Sequence, residues 1–245
     1  MISSDSIMLD KAVDAILALR ESGSHIQSIT NTVAQNFTAN VLLACGATVS
    51  MTANPEEMEG FMGRADALHI NLGTLDGARI NAIDKSVRIA IEREIPVTLD
   101  PVKINRSAER KKVAQSLIQN VQIIRGNELE INVLEIAPTA NQCLVETGTK
   151  DQITSGDRGV QVHNGHPLMA KVIATGCAMG GLIAALSAKT NDPFVAGLAG
   201  ALWFSIAGEN AAGKATGPGT FQPIFLDELY SISIDQLKNQ ARISK

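Results

Sequence analysis

Aromatic side chains are scarce in this chain of 245 residues, 3% of the total with one Trp and one Tyr, so it offers no platform for stacked bases. Basic residues are few as well. Against 25 Asp and Glu stand 21 Lys and Arg, a formal net charge of -4 without a basic stripe, and nucleic acid is excluded as an expected partner. The three cysteines, Cys45, Cys143 and Cys177, form no Cys-x-x-Cys pair, and their odd number argues against a disulfide framework; a reducing, cytoplasmic setting is expected. Met1-Ile-Ser-Ser-Asp-Ser lacks the basic-then-apolar order of a secretory signal. No apolar run reaches the ~20 residues of a bilayer crossing. The two longest, 172–188 and 193–208, read as helices buried on all sides, and no membrane partner is expected. Also missing are the Gly-x4-Gly-Lys-Ser/Thr loop of P-loop enzymes, the Gly-x-Ser-x-Gly elbow of serine hydrolases, and zinc spacing among His25, His69, His163 and His166.

What is present is alternation. Apolar positions at helical spacing over 7–22 predict an opening helix, followed by a strand at Ile26 to Ile29, a helix at 36–44 and a strand at 46–51. Asn54-Pro55 predicts a capped helix start. Strands at 67–72, 96–99, 121–124 and 143–146 take turns with helices around 76–93, 107–119 and 128–135. This is the pattern of a mostly parallel sheet with helices on both faces, and the length suits one domain over residues 1–245. Residues 153–162 break the rhythm as a hairpin with a Gly156-Asp157 turn, after which the chain is mostly helical.

In such a sheet ligands gather beyond the carboxyl ends of the strands. There stand Thr30-Asn31, Met51, Gly73-Thr74, Asp100-Pro101, Arg125-Gly126-Asn127 with Glu130, and Thr147-Gly148. Asp100 and Glu130 could hold Mg²⁺ mostly through waters; equally, Asp100 is a turn residue before proline and Glu130 an exposed acid of a first helical turn. Arg106 and Arg125 could fork onto phosphates or be solvated charges. The segment from Ala174 through Thr175, Gly176 and Cys177 opens directly into an apolar helix, whose free N–H groups and dipole attract anions and favour a thiolate. Its plainer reading is a strand-to-helix turn with a buried cysteine.

Taken together, Ile29-Thr-Asn31 with Asn36 and Thr38-Ala-Asn40, Leu43-Ala-Cys-Gly-Ala47, Met51 with Pro55-Glu-Glu57, Asn71-Leu-Gly-Thr74, Asp100-Pro-Val102, Ile124-Arg-Gly-Asn127 with Glu130, and Thr147-Gly148 with Asp151 resemble the hydroxyethylthiazole kinase family. So do His163-Asn-Gly-His-Pro-Leu-Met169, Thr175-Gly-Cys177, Ile206-Ala-Gly-Glu209 and Gly217-Pro-Gly219 with Phe221; the match runs in order from about residue 12 to 233. The resemblance implies a ribokinase-like α/β fold and transfer of the γ-phosphate of ATP, with Mg²⁺, to the hydroxyl of 4-methyl-5-(2-hydroxyethyl)thiazole in thiamine salvage. It implies a homotrimer with thiazole sites between neighbouring subunits. Carried over residue by residue, Asn31, Met51 and Ala174 belong to the thiazole side, Asp100 and Glu130 to Mg²⁺, and Arg106, Thr147, Arg125 and Asn127 to ATP. Thr175, Gly176 and Cys177 form the anion hole, with Cys177 where ribokinase-like relatives carry an aspartate base.

Departures from that pattern leave two alternatives open. The family's usual Gly-Thr-Gly-Cys reads Ala174-Thr-Gly-Cys177 here, its Asp-Pro-Val-Gly reads Asp100-Pro-Val-Lys103, and the stretch 131–142 has room for only one short helix. These fit a weakened or non-catalytic homologue that binds a thiazole-like molecule. A kinase for another heterocyclic alcohol is the other alternative.

Overall fold

The structure is a computed structural model that describes residues 4–245. The strands are β1 (His25–Ile29), β2 (Thr48–Ser50), β3 (Ala67–Asn71), β4 (Val97–Asp100), β5 (Ile123–Asn127), β6 (Cys143–Thr147), β7 (Asp151–Ser155), β8 (Arg158–Val162) and β9 (Ile243–Ser244). The helices are α1 (Ser4–Ser22), α2 (Gln35–Ala44), α3 (Met58–Met62), α4 (Gly77–Glu92), α5 (Ala108–Leu117), α6 (Glu128–Leu134), α7 (Thr175–Ser187), α8 (Pro193–Lys214), α9 (Pro218–Ser231) and α10 (Ile234–Gln240). All nine strands join one sheet in the order β2-β1-β3-β4-β5-β6-β7-β8-β9. Pairing is parallel from β2 through β6 and antiparallel from β6 through β9.

The pleat divides the sheet into two apolar faces. Ile29, Leu68, Ile70, Leu99, Ile124 and Leu144 pack with residues of α3, α4, α5 and α6, while Ile26, Ala67, Ile123, Cys143 and Val145 pack with residues of α1, α2, α7, α8 and α9. Buried polar residues of the central strands gather on the second face, with Gln27 of β1 the exception on the first. Ser28, His69 and Thr98 lie in register across β1, β3 and β4, and one pleat nearer the carboxyl ends Asn71 and Asp100 pair across β3 and β4. All five are buried. Burial pushes the His69 imidazole down to about 3, with the Arg125 charge acting the same way, so it is neutral and bonded to Ser28 Oγ at 2.9 Å.

α7 covers this polar face closely because its inner positions are glycines. A Cβ on Gly180 would stand 2.9 Å from His69 Nε2, and one on Gly181 2.9 Å from Thr38 Cγ2. α8 in turn packs on α7 through Gly200, where a Cβ would overlap Ile183.

Four sequence expectations need correction. Asn54 does not start a helix: its carboxamide accepts from Glu56 N in a turn, and α3 begins at Met58. Strand β5 starts later and runs on to Asn127, carrying Arg125 and Gly126 within it, because Asn127 rather than a loop residue caps α6. The β2 strand is only three residues long. Finally, β9 adds an unforeseen edge to β8 after the helical third.

Gly200→Ala is expected to lower the unfolding free energy by about 1–3 kcal/mol through overpacking. Gly213→Ala, in the same helix with open space around it, should instead raise it by up to about 1 kcal/mol. Urea denaturation of both variants measures the contrast.

Candidate active site

The carboxyl ends of five strands, β1, β3, β4, β5 and β6, and one helix start converge. Asn71, at the end of β3, accepts from Asn31 Nδ2 at 3.0 Å and from Gly73 N at 3.0 Å through its Oδ1, and donates from Nδ2 to Asp100 Oδ2 at 2.8 Å. The same Asn31 Nδ2 reaches Cys177 Sγ at 3.3 Å. Gly73 allows this, since a Cβ there would collide with the Asn31 side chain. On the other flank, Arg125 Nη1 lies 3.7 Å from Asp100 Oδ2, and Nη2 donates to Thr147 Oγ1 at 2.6 Å. The result is a continuous polar row, Cys177, Asn31, Asn71, Asp100, Arg125, Thr147, across the sheet end.

The start of α7 faces this row. Ala174 turns into the helix with left-handed backbone at φ 69°, and Thr175 Oγ1 donates back to Val172 O and Met169 O, which fixes the turn. Ala178 N is the first amide to bond within the helix, to Ala174 O; among the described residues the N–H groups of Thr175, Gly176 and Cys177 have no partner. Arg125 lies directly over Gly176, where any Cβ would overlap its guanidinium. A guanidinium and the positive end of a helix dipole thus meet at one spot, which is a site for an anion.

Charges at the site follow from burial. Asp100 is fully buried and pushed up to about 6 by burial and by Glu130, with Arg125 and the Asn71 hydrogen bond pulling the other way. Its Oδ1 has no partner, an acceptor oxygen left free to take a cation or a water. Glu130 is not the exposed acid of a first helical turn; it is buried, and both its oxygens already accept backbone amides, Oε1 from Lys103 N at 2.7 Å and Oε2 from Asn127 N at 3.0 Å. Of the two readings of Cys177, the buried one prevails: burial first, then the neighbouring Asp100, pushes the thiol up to about 11, against the hydrogen bonds of Asn71 and Asn31 and the charge of Arg125.

A cleft of 760 Å³ opens beside the row, lined among others by Arg125, Thr147, Asp151, Asn164, His166 and Gly176. It therefore unites Arg125, Thr147, Thr175 and Gly176 of the residues singled out in the sequence. Asn31, Asp100 and Cys177 join through the hydrogen-bonded row. Asn127, exposed, spends its carboxamide capping α6 at Glu130 N. Arg106 is exposed in a short 3-10 turn after β4, and Met51 sits one residue beyond edge strand β2; neither lines the cleft. Among the described residues no three His, Cys, Asp or Glu converge as a metal cluster, and no helix is long and apolar enough to cross a membrane.

Asn71 is the member of the row that sequence reasoning left without a role. Its only signal was an amide at the end of an otherwise apolar strand. Asp151, its carboxylate holding Gly148 N and Ser205 Oγ in the cleft wall, was likewise unassigned.

A family model described as "HK: Hydroxyethylthiazole kinase family" matches residues 16–142 and 132–235. A protein of Agrobacterium fabrum named "Probable hydroxyethylthiazole kinase" is 39% identical over 234 residues, covering 95% of this chain and 94% of its own length. A hydroxyethylthiazole kinase of Cereibacter sphaeroides is 39% identical over 250 residues, covering 92% and 95%. The solved structure of a hydroxyethylthiazole kinase protein from Pyrococcus horikoshii superposes with a TM-score of 0.91 at 33% identity, over 96% of this chain and 98% of that one. A ribokinase-like superfamily protein from Enterococcus faecalis, with a TM-score of 0.58 at 15% identity, shares the fold.

Both places where the resemblance sets a glycine against a different residue here have left-handed backbone, Ala174 at φ 69° and Lys103 at φ 60°. The chain keeps the turn geometry with residues that disfavour it by roughly 1–2 kcal/mol each. Ala174→Gly and Lys103→Gly are each expected to stabilise the fold by up to about 1 kcal/mol, the relieved strain being partly offset by a freer unfolded chain. Chemical denaturation of the two variants gives the measurement.

Proposed function

The chain belongs to the hydroxyethylthiazole kinase family and is a kinase, and on that premise we propose that it transfers the γ-phosphoryl group of ATP to the hydroxyl of 4-methyl-5-(2-hydroxyethyl)thiazole. The observation that carries this reading is the meeting of Arg125 with the unpartnered amides of α7 beside the buried, half-free carboxylate of Asp100. An anion hole next to a cation ligand is what phosphoryl transfer needs, since its loose transition state is stabilised by position and charge.

The roles follow from that geometry. Nucleotide phosphates enter the 760 Å³ cleft along Thr147 and Arg125. The amides of Thr175, Gly176 and Cys177 then receive the transferring group. Asp100 fits Mg²⁺ through its free Oδ1, whereas Glu130, its oxygens committed to backbone amides, adds negative charge and reaches the ion through water. The ion supplies neutralisation across the phosphates. Asn31 and Met51 hold the thiazole, with the substrate hydroxyl beside Cys177. With its thiol pushed up to about 11, Cys177 is neutral at pH 7 and takes a hydrogen bond from Asn31, so it positions the alcohol rather than acting as a thiolate base. Asn71 holds Asn31 and Asp100 in step.

The proposed assembly is a homotrimer with sites at subunit boundaries, acting in the cytoplasm as one domain. Its support is apolar surface beside the acceptor side: Val33 is 64% exposed two residues from Asn31, and Ile173 70% exposed next to Ala174. The weakened-homologue alternative rests on Ala174, Lys103 and the short stretch 131–142; the first two adopt the left-handed turn conformations described above, and the alternative is the less favoured. A different heterocyclic alcohol remains the runner-up for substrate, because Asn31 and Met51 are compatible with either ring.

Formation of the phosphothiazole from Mg-ATP, assayed against a panel of heterocyclic alcohols, tests the reading; no phosphorylation of the thiazole alcohol would overturn it. The pH dependence has a definite sign. Burial raises Asp100, so the fold favours its protonated form, and that contribution to stability is lost as pH rises through about 6. Activity needs the ionised form. The expected kcat/KM profile for Mg-ATP, which reports the free enzyme, falls on the acid side with a midpoint near pH 6, and this limb should be absent from the residual activity of Asp100→Asn.

A further inference from the structure

One wall of the cleft, the loop from His163 to Pro167, is held by residues far from it in sequence. Asn164 and Gly165 line the cleft, and Gly165 has φ 127°, a conformation open to glycine. Glu209 of α8 binds both: Oε1 accepts Gly165 N at 2.9 Å and Oε2 accepts Asn164 Nδ2 at 2.9 Å. The same carboxylate takes a forked contact from Arg242, Nη1 to Oε2 at 3.2 Å and Nη2 to Oε1. Arg242 Nη2 also donates to His163 O at 2.9 Å, and Arg242 N to Asn164 Oδ1 at 2.9 Å. Asn164 Nδ2 donates further to Gln240 O at 3.0 Å, and His163 Nε2 pairs with Ser244 Oγ at 2.8 Å.

The cluster is thus closely hydrogen-bonded, with one carboxylate as its hub. The hydrogen bonds from Arg242 hold Glu209 below the usual carboxylate range although burial opposes them. The fork is two-pronged, with Glu209 mostly covered, and it ties residue 242 to α8; through Glu209 the tie reaches the cleft wall. Its effect is local: it fixes where the Asn164 and Gly165 backbone stands in the cleft.

We propose that Glu209, clasped by Arg242, is a positioning residue for the nucleotide, setting the cleft wall at 163–167 against the ribose and base end of ATP while leaving the reacting groups untouched. This rests on the cleft being the nucleotide side of the kinase. A carboxylate is required because three kinds of donor converge on it, a backbone amide, a carboxamide and a guanidinium; the amide of Gln would turn a donor toward one of them.

Steady-state kinetics on the full chain distinguish the outcomes. Glu209→Ala and Arg242→Ala are each expected to raise KM for Mg-ATP roughly tenfold, the loss of one charge-assisted bond, with kcat and the KM for the alcohol within about twofold. The double variant should be no worse than either single one, since both break one clasp. Glu209→Gln should fall between wild type and Glu209→Ala in KM for Mg-ATP. Unchanged KM for Mg-ATP in folded variants, or a parallel loss for both substrates tracking thermal stability, would overturn the proposal. A wild-type chain without ATP-dependent phosphorylation would instead overturn the functional reading on which it rests. Equilibrium titration with a fluorescent ATP analogue gives the same comparison without turnover.

Discussion

The close approach of α7 to the ends of β3 and β4 is the constraint on which the rest depends. Gly180 and Gly181 remove the side chains that would hold the helix off the sheet, and Gly176 leaves room for the Arg125 guanidinium at its mouth. Brought that near, the helix start presses its unpartnered amides and Cys177 against the polar row, so a thiol, two carboxamides and a carboxylate share one hydrogen-bonded line that an ion pair continues to a guanidinium. A helix one methyl farther out would keep the fold and lose that line.

Burial within this line sets its charges. Asp100 is deprived of water and retains a counter-ion in Arg125, while Arg125 is shared with Thr147 and stands at the positive helix end. The floor of the cleft is therefore electropositive where it opens to solvent and electronegative underneath. An incoming phosphate chain meets complementary charge on one side and a free carboxylate oxygen, suited to a cation, on the other. On the proposed reading, the two halves of a phosphoryl-transfer site arise from one ion pair that is longer than a direct hydrogen bond.

Much of this was legible in the sequence. Alternating apolar segments announced the parallel sheet, the turn at Gly156-Asp157 announced the hairpin, and polar residues after each strand marked the functional end. Strand order was not visible, because adjacency in an open parallel sheet is decided by crossovers rather than by local pattern. The raised Cys177 thiol was missed since a helix start is local and readable, whereas the burial that outweighs it comes from β3, β4 and Asp100. The solvated-acid alternative for Glu130 stood beside the Mg²⁺ reading because nothing in its own helix reveals that Lys103 N, 27 residues away, would claim one oxygen. Left-handed backbone at Ala174 and Lys103 left no trace either, as neither residue type advertises it. The two-residue β9 was too short to carry a period.

The direction of the sheet changes at β6, and this bears on the order in which the protein assembles. The parallel half and the β7–β8 hairpin can pair as soon as their segments exist, whereas β9 joins β8 across a separation of about 80 residues, after all the later helices have been made. Contacts between such distant segments close slowly, because the chain between them must be ordered first. Until residues 240–244 arrive, β8 presents an open edge and the Asn164 side chain has one of its three hydrogen bonds. The wall of the cleft is therefore among the last parts of the molecule to be completed, and a nascent chain acquires its catalytic floor before the surface that frames it.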